Sequence, residues 1–260
     1  MEHLCDLLFE VSNEDRLRIM RRLEGGATSV TGLSRELELT TQESSRHLSR
    51  LGEVGLTSKD PDGNHSLTPF GRLILEQLQG LKFTSGHRDY FVSHSLASLP
   101  PEFVGRIGEL GRSAYIDDVM VTVHNVEKIL READEYVLDL NMPFVASAFP
   151  LIREAYGRGV VGRFLHTQEL KLPPSMEDER MQFMDEDWIQ KIMASGVQEE
   201  RLTEEVGLVL YMSEREVAII AFPTVSGRFD LLGFSSDDER THRYCRDIFD
   251  HYWERGRPLV

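Results

Sequence analysis

The segment from Thr40 to Leu67, TTQESSRHLSRLGEVGLTSKDPDGNHSL, decides how the chain is read. Thr40 and Glu43 have the spacing of a capping box, in which a threonine hydroxyl and a glutamate carboxylate satisfy free backbone N–H groups at the head of a helix. Leu48 and Leu51 are then spaced to reach a core, and Gly55 is placed to end the helix in a left-handed turn. Thr41, Gln42, Ser45, Arg46, Ser49 and Arg50 are left for the exposed face. These are the types that meet nucleic acid: Gln pairs with adenine, Arg with guanine, and hydroxyls bond phosphate oxygens. Beyond Gly55, residues 56–58 and 65–67 flank Lys59-Asp60-Pro61-Asp62-Gly63-Asn64, whose Asp-Gly pair signals a hairpin. The expectation is a helix offering polar and basic groups outward, followed by a two-stranded ribbon that carries Lys59.

Upstream, Leu4, Leu7, Leu8 and Val11 recur at helical spacing. Ser12-Asn13-Glu14-Asp15 then offers an N-cap for a second helix through Leu17, Ile19, Met20 and Leu23, which stops at Gly25-Gly26. Residues 28–39 repeat the pattern with Val30, Leu33, Leu37 and Leu39. Downstream, Thr68-Pro69 opens a helix through Leu73, Leu75 and Leu78, with proline at an early position where its missing N–H costs nothing. Together, SNEDRLRIMRRLEGG, SRELELT, SSRHLSRLGEVGL and LTPFG make residues 12–80 resemble the winged helix-turn-helix of ArsR-like and MarR-like prokaryotic regulators. The resemblance implies a DNA-binding domain over residues 1–80. Helices of this kind usually carry an apolar residue where this chain has Ser44, which predicts looser packing there.

Residues 81–135 read as a helical linker or dimerisation region. Tyr90, Phe91, Leu96 and Leu99 precede Pro100-Pro101, Phe103, Ile107 and Leu110 follow on one face, and Asp117-Asp118 caps a helix through Val126, Ile129 and Leu130. Such helices either pair with a second subunit or pack onto their own C-terminal domain. Residues 136–260 change to alternating strands and helices, the pattern of an α/β layer. Strands are expected at 136–140, 160–165, 208–212, 217–222 and 229–234, with helices at 144–156 and 177–195 and a final one capped by Asp237-Asp238-Glu239.

In this half EADEYVLDLNM, YGRGVVGRFL, the meander VLYMSEREVAIIAFPTVSGRFDLLGFSSDD and the ending CRDIFDHYWERG resemble the effector domain of Fil-type archaeal regulators first linked to methanogenesis. That implies an archaeal transcription regulator of methane or energy metabolism. The strand order and the Arg158-Gly159-Val160 strand entry also look like the phospholipase D architecture, with a mixed sheet. Its chemistry needs a nucleophilic His followed two residues later by Lys, and none of the nine histidines has one. No Walker loop, nucleophile elbow, dinucleotide-binding glycine pattern or HExxH is present. The expectation is therefore a non-enzyme with no catalytic residue, no cofactor and no metal site.

A small-molecule effector is expected beyond the carboxyl ends of the strands, which brings forward Asn141, Ser147, His166, Thr167 and Tyr211. Arg163 and Arg228 are candidates for holding an anionic ligand. Each also has a structural explanation, as a turn, sheet-packing or salt-bridge residue.

Composition bounds these readings. The 260 residues are 40% hydrophobic, enough to fill real cores. The net charge of −15, from 29 basic and 44 acidic residues and heaviest in the C-terminal half, argues against indiscriminate phosphate binding. No apolar run is long enough to span a bilayer, and the start of the chain has no basic flank or signal core, so a cytoplasmic protein with no membrane partner is expected. Cys5 and Cys245 are read as reduced helix-packing residues. The expected partner is a double-stranded DNA operator bound by a homodimer. The rival is a protein-interaction module that uses the winged helix as a docking surface.

Overall fold

Capping side chains set where the helices of the first eighty residues begin. In the computed structural model, which describes residues 2–167 and 174–259, α1 (Glu2–Val11) is followed by α2 (Glu14–Glu24). Asn13 caps α2 by accepting the Arg16 N–H at 3.0 Å. β1 (Thr28–Ser29) leads into α3 (Val30–Leu37), capped where Ser29 Oγ accepts the Gly32 N–H at 3.2 Å. α4 (Thr41–Glu53) carries the anticipated capping box: Thr40 Oγ1 accepts the Glu43 N–H at 3.1 Å, and Glu43 Oε2 accepts the Thr40 N–H at 2.9 Å. Gly55 follows with φ +75°, a conformation only glycine adopts freely.

The ribbon consists of β2 (Thr57–Lys59) and β3 (Asn64–Leu67), with Lys59 opposite His65, and β1 pairs with the other edge of β3. α5 (Pro69–Gly86) follows. By its internal contacts the chain divides into two units, residues 1–81 and 82–260. The first buries Ile19, Met20, Leu23, Leu33, Leu51 and Leu56 completely, each such side chain contributing about 1.5–3 kcal/mol. The looser packing expected at Ser44 does not form. Ser44 is fully buried, and its hydroxyl shares a hydrogen bond with Ser34 at 3.0 Å, so a polar pair takes the place of an apolar contact between α3 and α4.

In the second unit the elements are α6 (Arg88–Ser93), α7 (Pro101–Val104), a 3-10 turn (Ile107–Leu110), β4 (Ala114–Ile116), α8 (Val119–Glu132), β5 (Tyr136–Leu140), α9 (Phe149–Gly157), β6 (Val161–His166), α10 (Pro174–Phe183), α11 (Glu186–Ser195), β7 (Gln198–Leu202), β8 (Val209–Ser213), β9 (Val217–Ala221), β10 (Gly233–Ser236), α12 (Glu239–Arg255) and β11 (Arg257–Pro258). The strands form one mixed sheet in the order β11-β7-β6-β5-β8-β9-β10-β4, parallel between β5, β6 and β7 and antiparallel elsewhere. Because strand side chains alternate, Leu138, Leu140, Leu210 and Met212 meet α12 and the segment before β4, while Val137, Val209 and Tyr211 meet α8 and α9. Both faces are therefore covered, giving an α/β layer.

Several expected boundaries move for physical reasons. The region read as a separate linker, residues 81–135, lies almost wholly in the second unit: Tyr90, Leu99, Phe103, Ile107 and Leu110 are buried in its core, and β4 closes one edge of its sheet. Tyr244 Oη donates to the Phe103 carbonyl at 3.0 Å, and Tyr252 Oη donates to that of Ser98 at 3.2 Å. The single helix expected at 177–195 is two, because Asp185 caps the second by accepting the Trp188 N–H at 2.8 Å. The strand expected at 229–234 is displaced to β10, since Leu231 has φ +61° and Asp230 Oδ1 accepts the Leu232 N–H at 3.1 Å. Cys245 is buried as expected, whereas Cys5 is exposed. Among the described residues no helix is long and apolar enough to cross a membrane.

Gly71 in the LTPFG segment shows why α5 seats so closely. A Cβ there would stand 2.1 Å from the Leu56 carbonyl oxygen. Gly71→Ala should therefore destabilise the chain by about 1–3 kcal/mol, the usual cost of overpacking. Thermal denaturation reads this as a lower melting temperature; an unchanged value would contradict the close approach.

Candidate nucleic-acid interface

The rotation of α4 is fixed by its buried side. Ser44, His47, Leu48 and Leu51 form a stripe at helical spacing that faces the core, and His47 Nε2 lies 4.0 Å from Asp15 on α2. Burial is the main influence on His47 and lowers its pKa, which favours the neutral ring, while Asp15 pulls the other way. Opposite this stripe Thr41, Gln42, Ser45, Arg46, Ser49 and Arg50 are all exposed, as the sequence suggested, and so is Lys59 on the ribbon. Six polar or basic side chains thus share one helix surface, with a seventh on the neighbouring hairpin.

Acids temper that surface. Glu43 is tied into the cap, and hydrogen bonds from the Thr40 hydroxyl and N–H hold its carboxyl below the usual range. Glu53, at the end of α4, accepts from Ser49 Oγ at 3.3 Å and lies 3.7 Å from Arg50 Nη1. An exposed pair of this kind is worth roughly 0–1 kcal/mol, so a phosphate could displace Glu53 at small cost. At the ribbon tip Asp60 Oδ1 accepts the Asn64 N–H at 2.8 Å, and Gly63 has φ +90°. The turn that presents Lys59 is therefore internally fastened.

The structure scatters the seven ligand candidates of the second unit. Asn141, His166 and Thr167 meet where β5 and β6 end: the Asn141 N–H donates to the Leu165 carbonyl at 2.8 Å, and Thr167 Oγ1 donates to Asn141 Oδ1 at 3.4 Å. Ser147 is exposed and hydrogen bonds Glu127. Tyr211 is packed in the core between sheet and helices. Arg163 points to the other sheet face, its guanidinium 5.8 Å from the Trp253 ring and 3.7 Å from Glu199. Arg228 is exposed in the turn after β9. These residues do not form one anion-binding group, because alternation along β6 puts Arg163 and His166 on opposite faces.

In the second unit a buried acid and a half-buried one escaped the sequence reading. Asp139 is enclosed beside Phe164 and Tyr211, its neighbours in register, and burial pushes its carboxyl well above the carboxylate range although it accepts the Met142 N–H at 2.9 Å. Glu200 on β7 is also raised by burial. Asp139 had a signal, an acid inside the apolar strand YVLDL. Glu200 had none, since QEERL is a run of mostly charged residues in which no strand was expected.

Residues 11–58 match the model of a family described as a helix-turn-helix domain. With the ribbon β2–β3 beside it, the first unit is a winged helix-turn-helix domain. No curated protein matches the chain. Among solved structures, the archaeal chromatin protein TrmBL2, reported with a novel mode of DNA binding, is similar over 95% of this chain and 94% of that one at 18% identity, with a TM-score of 0.44. The riboflavin-derivative dimethyltransferase RosA of Streptomyces davawensis is similar over 76% of this chain and 63% of its own at 11% identity, TM-score 0.27. An O-methyltransferase family protein of Burkholderia thailandensis gives 12% identity and 0.26 over 75% and 63%. The structural overlap is low in all three, and the functional reading rests on the side chains of this chain.

Burial lowers the pKa of His166 from 6.5 to about 4. A folded-state pKa below the unfolded one gives stability that is complete above pH 6.5 and is lost as pH falls towards about 4, on the order of 3 kcal/mol in all. Asp139 and Glu200, raised by burial, change in the opposite sense. The effect should therefore be read as the difference between the parent and His166→Gln, in which the acids cancel. Chemical denaturation across this range should show the parent losing ground to the variant; parallel profiles would mean that His166 titrates freely.

Proposed function

We propose that this chain is a sequence-specific, DNA-binding transcription regulator that works as a homodimer and carries no enzymatic activity. The observation that carries the reading is the outward stripe of α4, Thr41, Gln42, Ser45, Arg46, Ser49 and Arg50, with Lys59 on the wing beside it. Arg46 and Gln42 are suited to base edges, and the hydroxyls and Lys59 to phosphates. Net charge adds little, since the chain is acidic, so affinity must come from placement rather than bulk attraction.

A homodimer is supported by apolar side chains left exposed on the first unit: Leu4, Leu8 and Phe9 on α1, and Phe70 and Leu73 on α5. Two such units would read half-sites about 34 Å apart. The second unit is read as an effector domain that shifts the dimer between two geometries. Its mixed sheet is in keeping with a phospholipase-D-like architecture that lacks the catalytic His and Lys. Control of methane or energy metabolism genes rests on the Fil-type resemblance of residues 132–256.

The test is fluorescence anisotropy on a selected operator. Arg46→Ala should cost roughly 1–3 kcal/mol and relax the preference for the base it faces. Lys59→Ala should weaken all sequences alike and flatten the salt dependence by about one ion. Unchanged affinities in both variants would remove α4 and the wing from the interface and favour the docking-surface reading.

A further inference from the structure

The sheet of the second unit and the helices over it enclose a cavity of about 290 Å³, near the lower end of the usual size of small-molecule sites. Its floor is the face of β6 and β7 carrying Phe164, Gln198 and Glu200, which the strand register aligns. Gly162 opens the space: a Cβ there would lie 2.2 Å from Tyr156 Oη and 2.6 Å from the Phe164 ring. The Tyr156 ring can therefore lie over β6, and Trp188 of α11 stacks beside it with centroids 6.0 Å apart and planes 12° apart.

The polar groups in this apolar lining are unevenly matched. Tyr156 Oη is buried with no hydrogen-bond partner among the described residues. Arg180 is already engaged by Glu177, with Nε 3.2 Å from Oε2 and a second, shorter contact from Nη2. Glu200 has no ion pair among the described residues, only a hydrogen bond from the Gln198 amide. Burial raises its pKa, and the pull of Arg180 is too weak to offset this. The cavity thus holds one acid with no ion pair among the described residues, one orphan hydroxyl and a cation already paired with Glu177.

We propose that this cavity binds an organic amine, its ammonium group set against the Glu200 carboxylate and the Tyr156 hydroxyl and its hydrocarbon or aromatic body against Phe164 and Trp188. An ammonium supplies the ion-pair partner that Glu200 lacks. A carboxylate ligand would meet Glu200 as a like charge and would have to win Arg180 from Glu177. A purely apolar ligand would seal two polar groups away from water without partners, which is costly. The role of the amine as an effector rests on the regulator reading above; its binding does not.

Calorimetric titration of the full chain without DNA, near neutral pH, separates these cases. The probes are 2-phenylethylamine, 2-phenylethanol and phenylacetate, which share one body and differ in the head group. The amine should bind roughly tenfold tighter than the alcohol, and phenylacetate should bind least. Glu200→Gln should bring the amine down to the level of the alcohol, with the melting temperature of the variant checked alongside. The comparison of probes on the parent stands even if that variant folds poorly. Preference for phenylacetate, equal binding of all three, or no binding would overturn the amine site. Because DNA is absent, such a result would leave the DNA-binding reading where it was.

Discussion

The rotation of α4 about its own axis is the constraint from which the proposed function follows. Leu48 and Leu51 bury themselves against Ile19, Met20, Leu23 and Leu33, and the Ser34–Ser44 hydrogen bond and the buried His47 lock the same side. Turning the helix by one residue, about 100°, would expose leucine and bury arginine, at a cost of several kcal/mol. Core packing thus decides which six side chains face outward. The capping box at Thr40 and Glu43 fixes where the helix starts, and Gly55 fixes where the chain turns back into the wing.

That dependence explains what could be read in advance. Periodicity, caps and glycines act locally, so α2, α4, the hairpin and the Asp238-capped α12 were visible as strings of residues. Tertiary pairing acts at a distance and was much less visible. β7 is a run of mostly charged and polar residues that becomes a strand between parallel β6 and antiparallel β11, and β4 finds β10 across more than a hundred residues. Asp185 splits a helix that composition alone would continue, and Ser44 looked like a flaw because its partner Ser34 lies on another helix.

The ligand candidates show the same limit. Asn141, His166 and Thr167 were found because strand ends are visible in sequence, and they do come together. Arg163 and Arg228 were chosen for charge alone, and the sheet separates them from that group. The cavity of the second unit depends instead on Gly162, which looks like an ordinary strand glycine until Tyr156 is seen lying over it. Under the proposed function, an acidic chain reading DNA through a few placed side chains would need two copies held at a defined spacing, and a ligand-responsive second unit would give that spacing a control.

The central claim, that the exposed face of α4 and the wing read a DNA sequence as a dimer, is tested most directly by selection from a random-sequence duplex pool with the purified full-length protein. The account predicts enrichment of a roughly palindromic sequence whose half-sites lie about one helical turn, near 34 Å, or a multiple of it apart. Recovery of no enriched sequence, at salt low enough to permit binding, would contradict it.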